Sequence, residues 1–171
     1  DAVGSQYVVS PYDAFRSNES KEWRREQEST GLVVVTEADM LKAETMKEHI
    51  MESEYIWSLG ACDYEVACFG KVGATPIKGM IDIIPHSDGK LVDLKTCAAI
   101  GTERDIVSKC VSLGYHAQAA LYLDLWNSVD DDNRDTFEFL FVETDDPHEM
   151  AVFRMGSKFI EKGRTAYMNA I

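Results

Sequence analysis

The sequence predicts an α/β fold in which a central mixed β-sheet is flanked by helices. Helix-forming segments lie on both sides of a run of alternating apolar residues, and two further apolar runs precede a closing helix. The order helix, three strands, helices, two strands and helix is typical of layered α/β proteins. The length of 171 residues, with no repeat and no Pro/Gly-rich linker in the sequence, favours one domain over residues 1–171.

Two helices are predicted in the first third of the chain. Residues 17–29 are polar with helix-forming composition, and Gly31 follows them. Thr36 with Asp39 three residues later is a capping-box pattern, which predicts a helix from Thr36 to about Leu59. Apolar residues at helical spacing in this segment predict a buried face. They are Met40, Ala43, Met46, Ile50 and Met51.

The remaining elements follow from changes of period and from turn residues. The predicted strands are 64–69, 77–84, 91–96, 137–142 and 151–154, and the predicted helices are 103–112, 115–128 and 157–171. Turns are expected at 70–73 and at 87–90, where Ser-Asp-Gly-Lys is a strong hairpin signal.

The chain carries 30 acidic and 17 basic residues, for a net charge of −13. That balance alone argues against nucleic-acid binding, which needs local positive potential. Metal sites, however, concentrate carboxylates, and a bound divalent cation reverses the local sign. The basic residues cluster near both ends, and on a helix the last three would form one stripe, facing either solvent or DNA. They are Arg16, Lys21, Arg24 and Arg25, then Arg154, Lys158 and Lys162.

Several classes of protein are disfavoured by composition. No apolar run approaches the ~18 residues that would span a bilayer. The four cysteines form no C-x-x-C pair, which disfavours a zinc ribbon or iron–sulfur site and predicts reduced thiols in a cytoplasmic protein. They are Cys62, Cys68, Cys97 and Cys110. Because the chain begins at Asp1 rather than Met, we expect a fragment.

Two carboxylates and a lysine are predicted to meet on the central hairpin. Asp82 precedes the turn in Gly-Met-Ile-Asp, and Asp93 and Lys95 follow it in Leu-Val-Asp-Leu-Lys. The period of two puts Asp93 and Lys95 on one face of their strand. Charged residues in a central strand are costly unless they are paired or bound to metal. The convergence therefore needs an explanation.

Phosphodiester hydrolysis is one explanation. Two aspartates can hold Mg²⁺, which lowers the pKa of bound water and offsets charge on the phosphate, and a nearby lysine can stabilise the transition state. The other explanation is a structural Asp–Lys ion pair, because the Asp-x-Lys tripeptide is common by chance. Glu65, on the preceding strand, could reach the same metal. Gln118 and Tyr122 lie at i, i+4 on one face of the following helix.

The order of these motifs resembles the RecB-type branch of the PD-(D/E)xK nucleases. The motifs are Glu, Gly-x-x-Asp, Asp-x-Lys and Gln-x-x-x-Tyr. The sequence is most similar there to the RecE-type exonucleases, also known as exonuclease VIII, over nearly the whole chain from about Arg16. The resemblance implies a PD-(D/E)xK nuclease core. It also implies that Asp82, Asp93 and the Leu94 carbonyl bind metal and that Lys95 is the catalytic lysine.

Other residues match the family less firmly. The resemblance gives Glu65 an acidic catalytic or metal-binding position, and implies that Gln118 and Tyr122 position DNA or the lysine. Members of the branch usually carry a metal-binding histidine on a helix upstream of the first core strand. That helix would precede Asp1, so we expect this chain to lack it. His49 is expected to be an ordinary helix residue. His116 adjoins the Gln118–Tyr122 motif and could touch DNA, but a structural role is favoured. His86 and His148 lie beside turns and are expected to be solvated.

The function implied by the resemblance is Mg²⁺-dependent exonuclease action on double-stranded DNA ends, with Mn²⁺ as a substitute. It would run 5′→3′, leave 3′ single strands for an annealing partner in recombination, and involve a ring-shaped homo-oligomer, as in related phage enzymes. Two alternatives stay open from the residues: an endonuclease of the same fold, for restriction or repair, and a non-catalytic DNA-binding or assembly module.

Overall fold

A computed structural model describes residues 7–87 and 89–170. By its internal contacts the chain divides into two compact units, Asp1–His49 and Ile50–Ile171. The prediction of one domain stays a prediction, and each unit is described by itself. The predicted turn at 87–90 includes Asp88, which lies outside the described residues.

The first unit contains a two-stranded parallel sheet and capped helices. Its elements are β1 Tyr7–Val9, α1 Asn18–Ser29, β2 Val33–Val35 and most of α2 Glu37–Glu52. Ser17 caps α1 by accepting a hydrogen bond from Ser20 N at 3.1 Å. Thr36 Oγ1 accepts from Asp39 N at 3.1 Å and donates to the Asp39 carboxylate at 2.7 Å, which confirms the predicted helix start.

The prediction of one long helix to Leu59 is wrong. The helix α2 ends at Glu52, and a separate helix, α3 Glu54–Leu59, begins after Ser53, whose side chain accepts from Ile56 N at 3.2 Å. A serine in this role stabilises a new helix start, which its position in a helical pattern had hidden. The predicted apolar face is also narrower than expected. Met46 is buried, but Ala43 and Met51 are exposed.

The second unit is built on a five-stranded mixed sheet, as predicted. Its strands are β3 Cys62–Val72, β4 Thr75–Pro85, β5 Lys90–Cys97, β6 Thr136–Glu143 and β7 Met150–Arg154, in that spatial order. Its helices after α3 are α4 Glu103–Ser112, α5 Tyr115–Val129 and α6 Ser157–Met168. Among the described pairs of this five-stranded sheet, β5 and β6 are parallel and the other three pairs are antiparallel. The helices α4 and α5 lie between β5 and β6 in sequence, as a parallel connection requires.

The first hairpin is longer than predicted. Val72 pairs with Thr75, so the strands are joined by two residues, and Gly73 supplies a positive φ of 60°. The prediction of a turn over 70–73 is therefore wrong at its start. Gly70 is not a turn residue but belongs to β3. Glycine is required there because the strand backbone approaches α5 too closely for a side chain.

The core fixes which face of the sheet each strand residue occupies. Leu91, Asp93 and Lys95 stand beside Phe137, Phe139 and Phe141 in the parallel register, so all six share a face. The three phenylalanines and Leu91 are buried in a cluster with residues of α4, α5 and α6. The opposite face buries Ile83, Val92, Leu140 and Val142.

Several single-residue predictions can be compared with this fold. All four cysteines are free thiols, as predicted, but only Cys68 and Cys110 are buried in the core as expected, whereas Cys62 and Cys97 are half-buried. The prediction that His148 is solvated is wrong: it is buried, and its Nδ1 lies 3.0 Å from the Glu143 carbonyl oxygen. His116 Nδ1 lies 3.2 Å from the Cys110 carbonyl oxygen, in keeping with a structural role. Arg154 lies on β7, so it cannot share a helical stripe with Lys158 and Lys162 on α6.

Among residues 7–87 and 89–170, no helix combines the length and apolar character needed to cross a bilayer.

Candidate active site

Asp82 and Asp93 face each other across two adjacent strands. Ile83 pairs with Val92 in the antiparallel register of β4 and β5. One step further along each strand sets Asp82 opposite Asp93, and directly opposite residues project from the same face. The two carboxylates are close enough for the charge of Asp82 to raise the pKa of Asp93. The strand register alone therefore brings two acidic side chains together.

Lys95 forms an ion pair with Asp93 on that face. Its Nζ lies 2.6 Å from Asp93 Oδ2, and the side chains of Lys95 and Asp93 are 18% and 3% exposed. The ammonium group also lies 4.8 Å from the centre of the Tyr115 ring and 5.7 Å from that of Phe139. Aromatic faces at these distances attract a cation. Lys95 is thus held between a carboxylate and two rings.

Gln118 contacts the same carboxylate from α5. Its Nε2 donates to Asp93 Oδ1 at 2.6 Å. This hydrogen bond fixes the plane of the Asp93 carboxylate and occupies its Oδ1 atom. Sequence reasoning missed Tyr115, although it precedes Gln118 by three residues and therefore lies on the same face of α5.

The other oxygen of Asp93 is incompletely satisfied. Oδ2 is buried and accepts no well-directed hydrogen bond from any described residue. Its 2.6 Å approach to Lys95 is therefore an ionic contact rather than an aligned hydrogen bond. Burial raises the pKa of Asp93, and Asp82 adds to the rise, although Lys95 and Gln118 oppose it. A buried carboxylate oxygen whose only contact is ionic has room for a further ligand, such as a water or a cation.

Asp82 is tied to the backbone of the neighbouring strand. Its Oδ2 accepts a hydrogen bond from Leu94 N at 2.8 Å, in place of a main-chain acceptor on β4. The N–H and C=O of one extended residue point to the same side of the strand. The Leu94 carbonyl therefore faces the β4 side, where Asp82 lies.

The backbone is irregular beside Asp82. Ile81 and Ile84 both belong to the cluster under α5, although strict alternation would put residues three apart on opposite faces. Glu65 has a φ of 51°, rare for a residue with a side chain, and it lies between Tyr64 and Val66, which pair with Ile83 and Ile81 on either side of Asp82. Such outliers concentrate at functional sites. Near Asp82, therefore, both β3 and β4 depart from regular strand geometry.

The predicted site residues are not all brought together. Asp82, Asp93, Lys95 and Gln118 are joined by the contacts above. Glu65 is exposed, and among the described residues no three His, Cys, Asp or Glu side chains form a group suited to a metal. The Tyr122 ring packs 6.4 Å from that of Phe137, and a Cβ at Gly79 would lie 3.1 Å from it, so Tyr122 is directed into the core.

A second buried carboxylate lies on the other face of the sheet. Glu138, on β6, accepts from Tyr55 at 2.8 Å and from Arg154 Nε at 2.9 Å, and Lys90 Nζ lies 3.3 Å away. Burial would raise the pKa of Glu138, but these hydrogen bonds and the charges of Lys90 and Arg154 outweigh it and hold the pKa below its ordinary value. Sequence reasoning did not single out this network.

The donors present suit a hard divalent cation. Two carboxylates and a backbone carbonyl are oxygen ligands of the kind that Mg²⁺ and Mn²⁺ accept, and Mg²⁺ usually keeps several waters. The buried Asp93 Oδ2, without a directed donor, is the structural observation in favour. Because the set has two carboxylates and no histidine, it would leave most coordination positions to water.

One solved structure shares this fold. A candidate exonuclease from Eubacterium rectale is similar in structure, with a TM-score of 0.66 at 16% sequence identity. The match covers 90% of this chain and 59% of that one, so this chain spans about three fifths of it. A phage-related exonuclease from Haemophilus somnus 129PT has a TM-score of 0.47 at 15% identity, over 86% of this chain and 77% of its own. None of the curated proteins matches.

The family comparison covers almost the entire sequence. The PDDEXK-like domain of unknown function DUF3799 matches residues 8–171. The five-stranded mixed sheet with helices on its faces has the α/β architecture of a PD-(D/E)xK nuclease core. The chain therefore belongs to the PDDEXK-like family DUF3799.

Proposed function

We propose that this protein is a metal-dependent exodeoxyribonuclease that hydrolyses double-stranded DNA from its ends. The observation that carries the proposal is the pairing of Asp82 with Asp93 across β4 and β5, with Lys95 2.6 Å from Asp93 and one buried Asp93 oxygen without a directed donor. A structural Asp–Lys pair alone would not require a second carboxylate opposite it. Like charges side by side are costly without a cation.

The proposed ligands of the cation are Asp82, Asp93 and the Leu94 carbonyl, with Mg²⁺ as the expected ion and Mn²⁺ as a substitute. When bound, a divalent cation supplies an activated water at neutral pH and offsets charge on the phosphate. Glu65 is proposed as an additional acidic residue from the resemblance, and its neighbours Tyr64 and Val66 pair with Ile83 and Ile81 on either side of Asp82.

Three side chains of the protein have distinct tasks in this mechanism. Asp93 presents Oδ2 because Gln118 occupies Oδ1. The ammonium of Lys95 stabilises negative charge that develops on the phosphate and helps to orient the attacking water. The rings of Tyr115 and Phe139 hold that ammonium beside the carboxylate without neutralising it, because they attract a cation but carry no charge.

Digestion of DNA with free ends separates the proposal from its rivals. The unaltered chain with Mg²⁺ should degrade linear duplex and leave covalently closed circles intact. Cleavage of the circles would instead indicate an endonuclease. If neither substrate is cut with Mg²⁺ or Mn²⁺, a non-catalytic binding module is favoured. Asp93→Asn is the control for a contaminating nuclease.

Polarity and partners rest on the resemblance to RecE-type exonucleases alone. We propose 5′→3′ digestion, 3′ single-stranded products for a single-strand annealing partner and a ring-shaped homo-oligomer. A cytoplasmic setting is proposed from the cysteine pattern instead. Duplexes labelled at the 5′ or the 3′ end of one strand test the polarity. Immediate release of the 5′ label, with the 3′ label kept in long products, is the expected result.

A further inference from the structure

The two strands that carry Asp82 and Asp93 have little regular pairing with each other. Every residue of β5 has a register partner on β6, whereas in the described part of the chain the only register pair between β4 and β5 is Ile83 with Val92. Beside that pair, Leu94 N donates to the side chain of Asp82 rather than to a main-chain carbonyl of β4. A regular ladder would fix the distance between facing residues. The separation of the two carboxylates therefore depends on other contacts.

The helix α5 contacts both of these strands. Near its start, Gln118 Nε2 donates to Asp93 Oδ1 on β5 at 2.6 Å. One turn later the Tyr122 ring lies against Gly79 of β4, where a Cβ would lie 3.1 Å from Tyr122 Cε1. Because residues at i and i+4 share a face of a helix, the same face of α5 holds a carboxylate on β5 and the backbone of β4.

The contact at Gly79 lies close to Asp82 along the strand. A Cβ at Gly79 would also lie 3.2 Å from Leu125 Cδ2, so the absence of a side chain lets the strand rest directly on α5. Gly79 precedes Asp82 by three residues, which is about 10 Å in an extended strand. A shift of β4 at Gly79 would therefore move Asp82 relative to Asp93, which Gln118 holds in place.

We propose that Tyr122 is a positioning residue which, through its contact with Gly79, sets the separation of Asp82 from Asp93 and thereby the metal affinity of the site. The inference rests on the proposed function and deepens it, because it names what keeps the proposed ligands at a fixed distance. Tyr122 acts through the β4 backbone, which differs from the role in positioning DNA or the lysine that the resemblance implies. The ring rather than the hydroxyl carries this role, because Cε1 and Cδ1 are the Tyr122 atoms nearest to Gly79.

The test is a calorimetric titration of Mn²⁺ into the unaltered chain and its variants, without DNA. Tyr122→Leu stays apolar but removes the ring from Gly79. It should weaken Mn²⁺ binding by about tenfold, the lower end of the effect of losing a residue that orients a metal ligand. Gly79→Ala crowds the same contact and should weaken binding to a smaller extent. Tyr122→Phe keeps the ring and should retain the affinity.

The matched control is Gly70→Ala, at the other glycine of the hairpin that approaches α5. Its Cβ would lie 2.8 Å from three side chains of α5, none of them Tyr122, and Gly70 belongs to β3 rather than β4. The crowding is at least as severe as in Gly79→Ala, yet Mn²⁺ affinity should stay within about twofold, as for independent sites. Thermal melting of each variant gives the folded fraction, to which the affinities are referred.

Unchanged Mn²⁺ affinity in folded Tyr122→Leu and Gly79→Ala overturns the inference, because Tyr122 would then only pack the core. If Tyr122→Leu does not fold, Gly79→Ala alone decides. An equal loss in Gly70→Ala, which would indicate a general loosening of the hairpin, also overturns it, and so does an equal loss in Tyr122→Phe.

Failure of the proposed function is distinguishable from these results. If the unaltered chain binds Mn²⁺ with the expected pattern among the variants but never cleaves DNA with Mg²⁺ or Mn²⁺, the nuclease proposal fails and the positioning role stands. If the unaltered chain binds no Mn²⁺, the proposed metal site and the positioning role are both overturned.

Discussion

Asp93 and Glu138 are carboxylates of similar burial on neighbouring strands, yet their surroundings differ. Asp93 is 2% exposed and Glu138 is 3% exposed. Glu138 has a hydroxyl, a guanidinium and an ammonium around it, and its pKa is lowered. Asp93 has one amide donor, one ionic contact and a second carboxylate opposite, and its pKa is raised. Burial alone therefore does not decide the state of a carboxylate.

The comparison separates a structural role from a functional one. A carboxylate whose lone pairs are filled stabilises the fold and has little capacity for a ligand. A buried carboxylate of raised pKa, with few donors and a like charge opposite it, is less stabilising in its ionised form and has capacity for a bound cation. We infer that the Glu138 face of the sheet stabilises the fold and that the Asp93 face carries the chemistry.

The largest expected difference is in activity. Asp93→Ala should lower nuclease activity by more than about 100-fold, beyond the usual effect of losing a metal's outer-shell partner. Glu138→Gln should keep the activity of the folded fraction within a few-fold, because Glu138 lies on the opposite face. Initial rates on linear duplex, corrected for folded protein, provide the measurement. Unimpaired digestion by Asp93→Ala would remove the assignment.

Removing the Lys95 ammonium should lower the rate of catalysis without weakening metal binding. We expect Lys95→Ala to reduce turnover by about 100-fold, the effect of removing one transition-state donor. Mn²⁺ affinity should change little, because the lysine is not a ligand. Single-turnover rates and calorimetry measure the two quantities. Metal affinity lost to the same extent as in Asp93→Ala would contradict this division.

Stability should respond most at Glu138. Glu138→Gln removes the negative charge facing Lys90 and Arg154 and should cost about 2 kcal/mol of unfolding free energy. Because the pKa of Glu138 is lowered by folding, its contribution is present above the ordinary carboxyl pKa and is lost as pH falls through the folded value. Urea unfolding at pH 7 and below pH 4 measures this. A destabilisation that persists undiminished at the low pH would oppose it.

The smallest expected effect is a gain of stability on substitution of Asp93, opposite in sign to the loss expected at Glu138. Its pKa is raised by folding, so its ionised form destabilises the metal-free protein as pH rises from the ordinary carboxyl pKa through the folded value. Asp93→Asn should therefore raise the melting temperature at neutral pH and lose that advantage in acid. Melting without divalent metal, in chelator, is the appropriate measurement. A clear destabilisation at neutral pH would show that the Lys95 contact outweighs burial.

The sheet was predictable from sequence because its signals are local. Alternation and hairpin residues predicted the strands on either side of Asp82 and Asp93, and the mixed topology followed from the order of elements. The α2–α3 break at Ser53 was missed, because a capping serine inside a helical pattern gives little warning. Element ends were also inexact, as at the first hairpin, since pairing extends strands beyond their apolar residues.

The candidate site was predictable in part. Asp82, Asp93, Lys95 and Gln118 followed from spacing and resemblance. The exposure of Glu65 did not follow, because neither its position on the preceding strand nor the resemblance indicates the φ of 51° that the residue adopts. Tyr115, Glu138 and the buried His148 could not be assigned, because their partners are distant in sequence or depend on the path of a turn. Such contacts arise from tertiary packing.

The most direct test of the central claim is a calorimetric Mn²⁺ titration of the unaltered chain, Asp82→Asn, Asp93→Asn and Glu138→Gln. The unaltered chain is expected to bind Mn²⁺, because two carboxylates and a backbone carbonyl are oxygen ligands that a hard divalent cation accepts. Binding should be lost in both aspartate variants and retained in Glu138→Gln. Equal Mn²⁺ binding by the unaltered chain and Asp93→Asn would contradict the claim that the Asp82–Asp93 pair is the metal site.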